Sequence, residues 1–229
     1  MLYLILAIIL ITCLAGPQVW VKHVLEKYNR QDSSIRGSGA QFAHHLLGKL
    51  GLEQKIQVEE TDQGDHYDPQ QKCVRLNKQH FSQMSLAAIV IAAHEVGHAI
   101  QDMEDNHWLR RQQRMVRFAQ AVSAVAPVAL AVAPILLLFT HSPAISLLTI
   151  LIGAGSMAVG VIVQLLTLPV EIDASFNKAL PILQQGGYLA ADQQAGARRI
   201  LQAAAMTYLA ASLYQLLNFA YWIRLLRRG

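Results

Sequence analysis

The residues with the clearest chemical meaning are His94, Glu95 and His98, which stand in the run AAHEVGHA at positions 92–99. Residues four apart lie on one face of a helix, so both imidazoles can face a single ion while Glu95 stands beside it. Neutral imidazole is a good zinc ligand, and a catalytic zinc site has three protein ligands and one position open to water or substrate. The spacing therefore predicts one Zn²⁺ ion whose third protein ligand comes from another segment.

The chemistry expected of such a site is hydrolysis of a peptide bond. Zinc lowers the pKa of its bound water from about 15.7 to roughly 7, which provides a nucleophile at neutral pH. Glu95 is placed to accept the proton of this water and to return it to the leaving amine. The residues before the motif are small and apolar, which predicts burial, and a metal is then the cheapest way to satisfy the three polar groups. Gly97 lacks a side chain, so another segment can approach the helix closely there.

The elements that must position the motif form a small α+β part. They are a helix over 40–50, a strand over 56–59, a hairpin over 65–77 and the motif helix from residue 82. Ser38 and Gly51 are typical of a helix start and a helix end, and Asp68-Pro69 is typical of a hairpin turn. An edge of this small sheet is expected to hold an extended substrate backbone by strand addition.

The composition indicates a membrane protein. Of 229 residues, 53% are hydrophobic and 15% are charged, whereas an ordinary soluble domain has roughly 25% charged residues. Four apolar stretches approach the about 20 residues that a spanning helix needs. They cover 1–21, 121–140, 145–170 and 201–223. The first stretch has no basic residues before it, so it is interpreted as a retained anchor and not as a secretory signal.

The distribution of basic residues predicts the orientation. The clusters on the motif side are Lys22, Lys27, Arg30 and Arg36, then Arg110, Arg111, Arg114 and Arg117, then Lys178, Arg198 and Arg199. Only Arg224, Arg227 and Arg228 stand on the opposite side, so the motif side is expected to face the cytoplasm. The net charge of +4 favours anionic lipid head groups. Cys13 and Cys73 do not suggest a disulfide framework, in agreement with a reducing compartment.

The third zinc ligand must be a Glu, His or Asp in a segment that returns to the motif helix. The candidates are His44, His45, His66, His80, His107, Glu171 and Asp173. Glu171 and Asp173 follow the third apolar stretch, and because the two middle stretches form a hairpin, their segment emerges on the motif side. Glu171 is the preferred ligand. Asp173 as the ligand, with Glu171 as its support, is the mirror alternative.

The chain resembles the membrane-bound neutral zinc metallopeptidases of bacteria, the YugP-like family, over nearly its whole length. The resemblance rests on DHYDP at 65–69, Lys72, VRLN at 74–77, AAHEVGHAIQ at 92–101, LPVEIDAS at 168–175 and AAAMTY at 203–208. It implies a relative of proteases in which the HExxH motif is completed by a downstream Glu. His94, His98 and Glu171 are then the zinc ligands, and Glu95 is the catalytic residue.

One position departs from the pattern of related membrane zinc proteases. They often place an Asp four residues after the ligand Glu, where it orients a zinc histidine, whereas this chain has Ser175. Asp173 is the expected substitute, because carboxylates behind ligand imidazoles fix their tautomer and angle. A donor for the oxyanion of the transition state is also expected. The candidates for it are Tyr67, His66, Arg75, Asn77 and Tyr208.

These observations predict a mainly α, integral membrane protein with about four spanning helices and a small zincin-like, gluzincin-type α+β catalytic part. Its predicted divisions are an anchor over 1–21, the zincin-like part over 22–118, a transmembrane hairpin over 121–168, a third-ligand segment over 169–200 and a last spanning helix over 201–223.

The predicted function is that of a zinc-dependent endopeptidase of the bacterial inner membrane, with several spans and its active site on the cytoplasmic side. Its expected partners are the lipid bilayer and a peptide or membrane-protein substrate, and no motif indicates nucleic acid. The alternative is a catalytically silent membrane zinc scaffold or adaptor for other proteins, which would tolerate Glu95→Gln. A transporter is disfavoured because the apolar stretches contain almost no ionisable residues.

Overall fold

The structure is a computed structural model that describes residue 16 and residues 19–140 and 142–226. The described chain is mainly helical and includes one small sheet. It divides into two compact units, of which the first comprises Met1–Asn106 and Val170–Thr207 and the second His107–Pro169 and Tyr208–Gly229. The predicted anchor over 1–21 lies almost wholly outside the described residues, and a helical stretch over 19–28 begins within its last three positions.

In the first unit, helix α1 covers Gly39–Lys49 and confirms the helix predicted over 40–50. The Ser38 hydroxyl accepts from the Gln41 backbone N–H, and the Gln41 side chain accepts from the Ser38 N–H, so the helix starts with a complete capping box. The helix ends before Gly51, whose φ of +67° is readily adopted only by glycine.

The sheet has three strands, β1 (Gln57–Thr61), β2 (His66–Asp68) and β3 (Cys73–Asn77), in the order β1-β3-β2. β3 pairs with β1 in parallel and with β2 in an antiparallel hairpin, which confirms the predicted hairpin over 65–77. The Asp68 carboxylate accepts from the backbone N–H groups of Gln70 and Gln71 and so closes the turn.

Two helices follow the sheet where the sequence predicted one. Helix α2 covers Lys78–Ser82, and the motif helix α3 covers Leu86–Met103, so the prediction that the motif helix begins at Ser82 is wrong by four residues. The reason is that each helix has its own cap. Asn77 accepts from the His80 N–H at 2.9 Å, and Ser85 accepts from the Ala88 N–H at 3.2 Å, with extended backbone at Gln83 between them.

Three long helices account for most of the remaining chain. Helix α4 covers His107–Thr140, α5 covers Pro143–Ile172 and α7 covers Ala191–Leu226. Between α5 and α7 lie a π-helical segment, Asp173–Ala179, and the short helix α6, Leu180–Gln185. The end of α5, the π-helical segment, α6 and the start of α7 belong to the first unit.

The core of the first unit is apolar and includes residues of α1, the sheet, α3, α6 and the start of α7. Its fully buried members include Leu47, Val74, Leu76, Val90, Val96 and Leu183. Burial of each such side chain contributes about 1.5–3 kcal/mol relative to exposure. The motif helix is therefore packed firmly into this core.

Among the described residues, one helical stretch, Leu147–Gln185, is long and apolar enough to cross a membrane. Only 7% of its most apolar part is buried within the chain, so it is not covered like the core helix of a soluble protein. It includes most of the span predicted over 145–170. The spans predicted over 121–140 and 201–223 lie within α4 and α7 and stay predictions.

Candidate metal centre

Helix α3 presents the two motif histidines on one face. The rings of His94 and His98 lie 4.7 Å apart at an interplanar angle of 80°, as expected for residues on adjacent turns. His94 and Glu95 are buried, with 8% and 5% of their surface exposed. The local sequence explains this burial, because the turns before the motif carry only alanine, isoleucine, valine and leucine side chains.

The end of α5 brings Glu171 to the two rings. Its Oε2 lies 3.2 Å from His94 Nε2 and 3.5 Å from His98 Nε2. One ligand atom from each of the three residues can be chosen so that all three atoms lie within 4.8 Å of one another. The three preferred metal-ligand candidates are therefore brought together, although their role as ligands stays a prediction.

Gly97 lets the segment after α5 lie directly against α3. A Cβ at Gly97 would lie 2.8 Å from the Ala174 carbonyl oxygen and 3.4 Å from Lys178 Cβ, which no ordinary side chain tolerates. The close approach predicted at Gly97 is confirmed. The facing segment is π-helical, with the Leu180 N–H donating to the Ser175 carbonyl five residues back, and such wider turns are frequent at functional sites.

A buried glutamine holds the His98 ring from behind. Gln101 is 0% exposed, and its Nε2 donates to the Val170 carbonyl at 2.9 Å and to Asp173 Oδ2 at 2.8 Å. These two bonds leave Gln101 Oε1 facing His98 Nδ1 at 2.9 Å. An amide oxygen only accepts, so His98 carries a proton on Nδ1, and Nε2, which faces Glu171, is the ring nitrogen that can bind a metal ion.

A hydroxyl holds the His94 ring. Ser175 Oγ lies 3.1 Å from His94 Nδ1, and both groups are buried. Position 175 is where related proteases often have Asp. The Ser175 hydroxyl therefore lies where a carboxylate was expected, and it is a weaker hydrogen-bond acceptor than a carboxylate. Asp173 was the expected substitute, but it contacts Gln101 and Asn177 and reaches a ring only through Gln101.

Burial and neighbouring charges shift the pKa values of two motif residues. Burial raises the pKa of Glu95, and the charges of Glu171 and Asp65 raise it further, against the opposing effect of the two histidines. Burial alone would lower the pKa of His98, but the carboxylate of Glu171 outweighs it and raises the pKa to about 9. A raised carboxyl pKa suits a group that must accept and then release a proton near neutral pH.

The residues present fit a zinc ion. Among the described buried side-chain atoms, Glu171 Oε2 has no hydrogen-bond partner, and an unpartnered carboxylate oxygen in the interior is costly. Two imidazole nitrogens and one carboxylate oxygen are a donor set that zinc accepts in catalytic sites. The outer nitrogens of both rings already have partners, as is usual for metal-bound histidines.

The residues predicted to stabilise an oxyanion are placed as follows. The Tyr67 hydroxyl donates to Asp102 at 2.7 Å, and burial raises its pKa. His66 Nδ1 lies 2.9 Å from the Gly64 carbonyl oxygen. Arg75 contacts Glu59, Asp68 and Gln71, Asn77 contacts Asp65 and His80, and Tyr208 belongs to α7 in the second unit.

No role was predicted for Gln101 from the sequence. A signal for it was present, because residues three apart on a helix are neighbours and Gln101 follows His98 by three positions in the conspicuous run of the motif. No role was predicted for Lys72 either. It donates to Asp102 at 2.6 Å and so joins the hairpin to the end of α3.

Comparison with known proteins identifies the family. The family described as "Putative neutral zinc metallopeptidase" matches residues 2–227. A relative described as "Putative membrane protease YugP", from Bacillus subtilis (strain 168), is 34% identical over 225 residues, which cover 96% of this chain and 95% of the relative. No solved structure gives a significant match. The resemblance inferred from the motifs is confirmed, and the chain belongs to this family of neutral zinc metallopeptidases.

Proposed function

We propose that the protein is an integral membrane zinc endopeptidase in which His94, His98 and Glu171 hold one zinc ion and Glu95 transfers the proton. The observation that carries the proposal is the buried convergence of these side chains, in which Glu171 Oε2 lacks a hydrogen-bond partner and faces both Nε2 atoms. Membership of the zinc metallopeptidase family supports the same conclusion.

Each residue of the centre has a distinct task. Zinc, when bound, lowers the pKa of water and polarises the substrate carbonyl. Glu95 accepts a proton from the attacking water and donates it to the nitrogen of the breaking peptide bond. Gln101 fixes the His98 tautomer, and Ser175 holds the His94 ring. Asp173 accepts from Gln101 Nε2 at 2.8 Å and so orients its amide, and this contact supports Glu171 over Asp173 as the ligand.

The substrate is proposed to be a membrane protein or a peptide near the bilayer. The Bacillus relative is described as a membrane protease, and the apolar stretch Leu147–Gln185 contains Glu171. The sheet offers two edge strands, β1 and β2, to which an extended peptide can add by main-chain hydrogen bonds.

The test of the reaction is peptide hydrolysis by the purified full-length chain and by Glu95→Gln. The variant keeps all three ligands, so we expect one zinc per chain and a loss of hydrolysis of at least about 1,000-fold. Glu53→Gln, at an exposed position of the same unit, is the matched control and should keep wild-type activity. Hydrolysis by Glu95→Gln at the wild-type rate would exclude this mechanism. Absence of hydrolysis by both the wild type and the variant would favour the scaffold alternative.

The four spans and the cytoplasmic active site form a separate part of the proposal. The test is a cysteine at exposed Asp62 in a chain whose Cys13 and Cys73 are replaced by Ala. A membrane-impermeant thiol reagent should label this cysteine only after the cells are broken. Labelling in intact cells would place the motif on the outer side of the membrane.

A further inference from the structure

The charges of the second unit all have one sign. Its two segments, His107–Pro169 and Tyr208–Gly229, contain arginine but no aspartate, glutamate or lysine. Arg111, Arg114 and Arg117 lie near the start of α4, and all three are exposed. We call these three side chains the arginine face. No carboxylate side chain of the same unit can neutralise them, so they are suited to bind an anion from outside the unit.

The arginine face is turned away from the neighbouring helix of the unit. Gln112 Nε2 donates to Thr167 Oγ1 at 3.3 Å, so the side of α4 that carries Gln112 is packed against α5. At about 100° per residue, Arg114 and Arg117 lie about 140–160° around the helix from Gln112. The three arginines follow one another at intervals of three residues and are therefore neighbours on the surface of α4.

An exposed apolar surface begins directly after the arginine face. Phe118 is exposed, and so are Val128, Ile135 and Phe139 further along α4, as expected of a helix that contacts lipid chains. With the predicted span over 121–140 in the hydrocarbon core, Arg117 is four residues from the core, or about 6 Å along the helix. The layer of lipid head groups is about 5–7 Å thick on each side. The arginine face then begins at the level of the lipid phosphates.

An aromatic ring accompanies these charges. The Trp108 ring centroid lies 5.6 Å from Arg111 Cζ, and tryptophan is enriched where a membrane meets water. An acidic protein or a nucleic acid could also neutralise the arginines, but neither explains why an exposed apolar surface follows them. An anionic phospholipid matches both features, because it offers a phosphate to the charges and acyl chains to the apolar surface.

We propose that the arginine face of α4 is a binding site for the phosphate group of an anionic phospholipid. This inference rests on the membrane location in the proposed function. Guanidinium groups bind phosphate oxygens through paired N–H donors, and basic side chains beside a span are attracted to anionic lipids. The site goes beyond a general preference of a positively charged protein, because it belongs to three named side chains on one side of one helix.

The experiment is native mass spectrometry of the full-length, zinc-loaded chain in detergent, titrated with phosphatidylglycerol or with phosphatidylcholine of the same acyl chains. We expect the first phosphatidylglycerol to bind at least about tenfold more tightly than the first phosphatidylcholine. In a variant that combines Arg111→Gln, Arg114→Gln and Arg117→Gln, this preference should fall below about twofold. The control combines Lys49→Gln, Lys55→Gln and Lys78→Gln, which remove the same charge from exposed positions of the first unit. The control should keep the preference.

A measurement on the wild type covers the case in which the arginine variant does not fold. Raising the ammonium acetate concentration from about 0.1 M to 1 M shortens the screening length from about 10 Å to 3 Å, so the preference should fall at least about threefold. Absence of a preference in the wild type, an unchanged preference in the folded arginine variant, or a preference that salt does not weaken would each overturn the inference. Binding of polyglutamate in place of the lipid, lost in the arginine variant, would assign the face to a protein partner and overturn it too.

These outcomes are separate from those that test the peptidase. The arginine variant should keep zinc content and peptide hydrolysis in detergent within about twofold of the wild type, because none of its three positions belongs to the metal centre. Loss of the lipid preference with normal hydrolysis contradicts only the lipid site. Failure of the wild type to hydrolyse peptides, with the lipid preference intact, contradicts only the proposed reaction.

Discussion

The His94 and His98 rings of the metal centre face the same carboxylate oxygen, but different side chains hold them. Each ring with the side chains behind it is called the His94 end or the His98 end. Behind His98, Gln101 is bonded at every polar atom and links the ring to the Val170 carbonyl and to Asp173. Behind His94 there is one hydroxyl, that of Ser175. A hydroxyl can donate or accept by rotating, whereas the bonded amide presents only its oxygen. The His98 end therefore has a fixed tautomer and a direct connection to the segment that carries Glu171.

This difference indicates that the metal centre is organised mainly at its His98 end, by Gln101. Gln101 lies on α3 but bonds the first residues after Pro169, so it fixes both a ligand of the motif and the approach of the third ligand. Loss of groups at the His98 end should therefore cost more zinc affinity than loss of groups at the His94 end.

The largest effect is expected from Glu171→Gln, which removes the charge that both rings face. Zinc affinity, measured by competition with a chromogenic chelator, should fall by well over about 100-fold, since loss of outer partners alone costs about 10–100-fold. Asp173→Asn is the comparison and should cost about tenfold or less, because Asp173 reaches the site through Gln101. A greater loss in Asp173→Asn than in Glu171→Gln would reverse the ligand assignment.

The next effect is expected from Gln101→Ala. It frees the His98 tautomer and leaves the Val170 carbonyl without its donor, so zinc affinity should fall about 10–100-fold. Gln79→Ala, exposed on α2, is the control. An affinity within twofold of the wild type would show that the amide does not organise the His98 end.

A moderate effect is expected from Gly97→Ala, which tests the close approach between α3 and the π-helical segment Asp173–Ala179. The new Cβ would lie 2.8 Å from the Ala174 carbonyl oxygen, so the segment must shift, at a cost of about 1–3 kcal/mol in the free energy of unfolding. Zinc-loaded protein in detergent should melt at lower temperature. Gly153→Ala, with nothing within 4 Å of its Cβ, should melt no lower than wild type. Equal melting of both variants would contradict the tight packing.

The smallest effect is expected from Ser175→Ala. A single neutral hydrogen bond contributes about 0.5–1.5 kcal/mol, so zinc affinity should fall only about two- to tenfold, with kcat little changed in zinc-saturated protein. If Ser175→Ala lost as much affinity as Gln101→Ala, the two ends would be equivalent and the comparison would fail.

Local patterns predicted much of the fold because their causes are local. Ser38 and Gly51 define the first helix, and the turn at Asp68-Pro69 defines the hairpin. The start of the motif helix was predicted too early, because Ser85 is a second cap that follows one short helix closely. The parallel pairing of β1 with β3 depends on distant residues, and no local pattern indicated it.

The parts of the site that depend on local sequence could be predicted, and the parts that depend on contacts between distant residues could not. The spacing of His94 and His98 suffices to place two rings together, and the hairpin argument indicated Glu171. Gln101 follows His98 by three residues, but its bond to Val170 and the contact of Ser175 with His94 join residues that are 69 and 81 positions apart, and periodicity does not encode such contacts. For the same reason His80 was weighed only as a metal ligand, and its bond to Asp65 became visible only in the structure.

The central claim is that one zinc ion is bound by two imidazoles and a carboxylate. Metal analysis combined with zinc-edge X-ray absorption of chelator-free, full-length protein tests it most directly. We expect one zinc per chain with nitrogen and oxygen ligands at about 2.0–2.2 Å and no sulfur at about 2.3 Å. Absence of stoichiometric metal, or a sulfur ligand, would contradict the account.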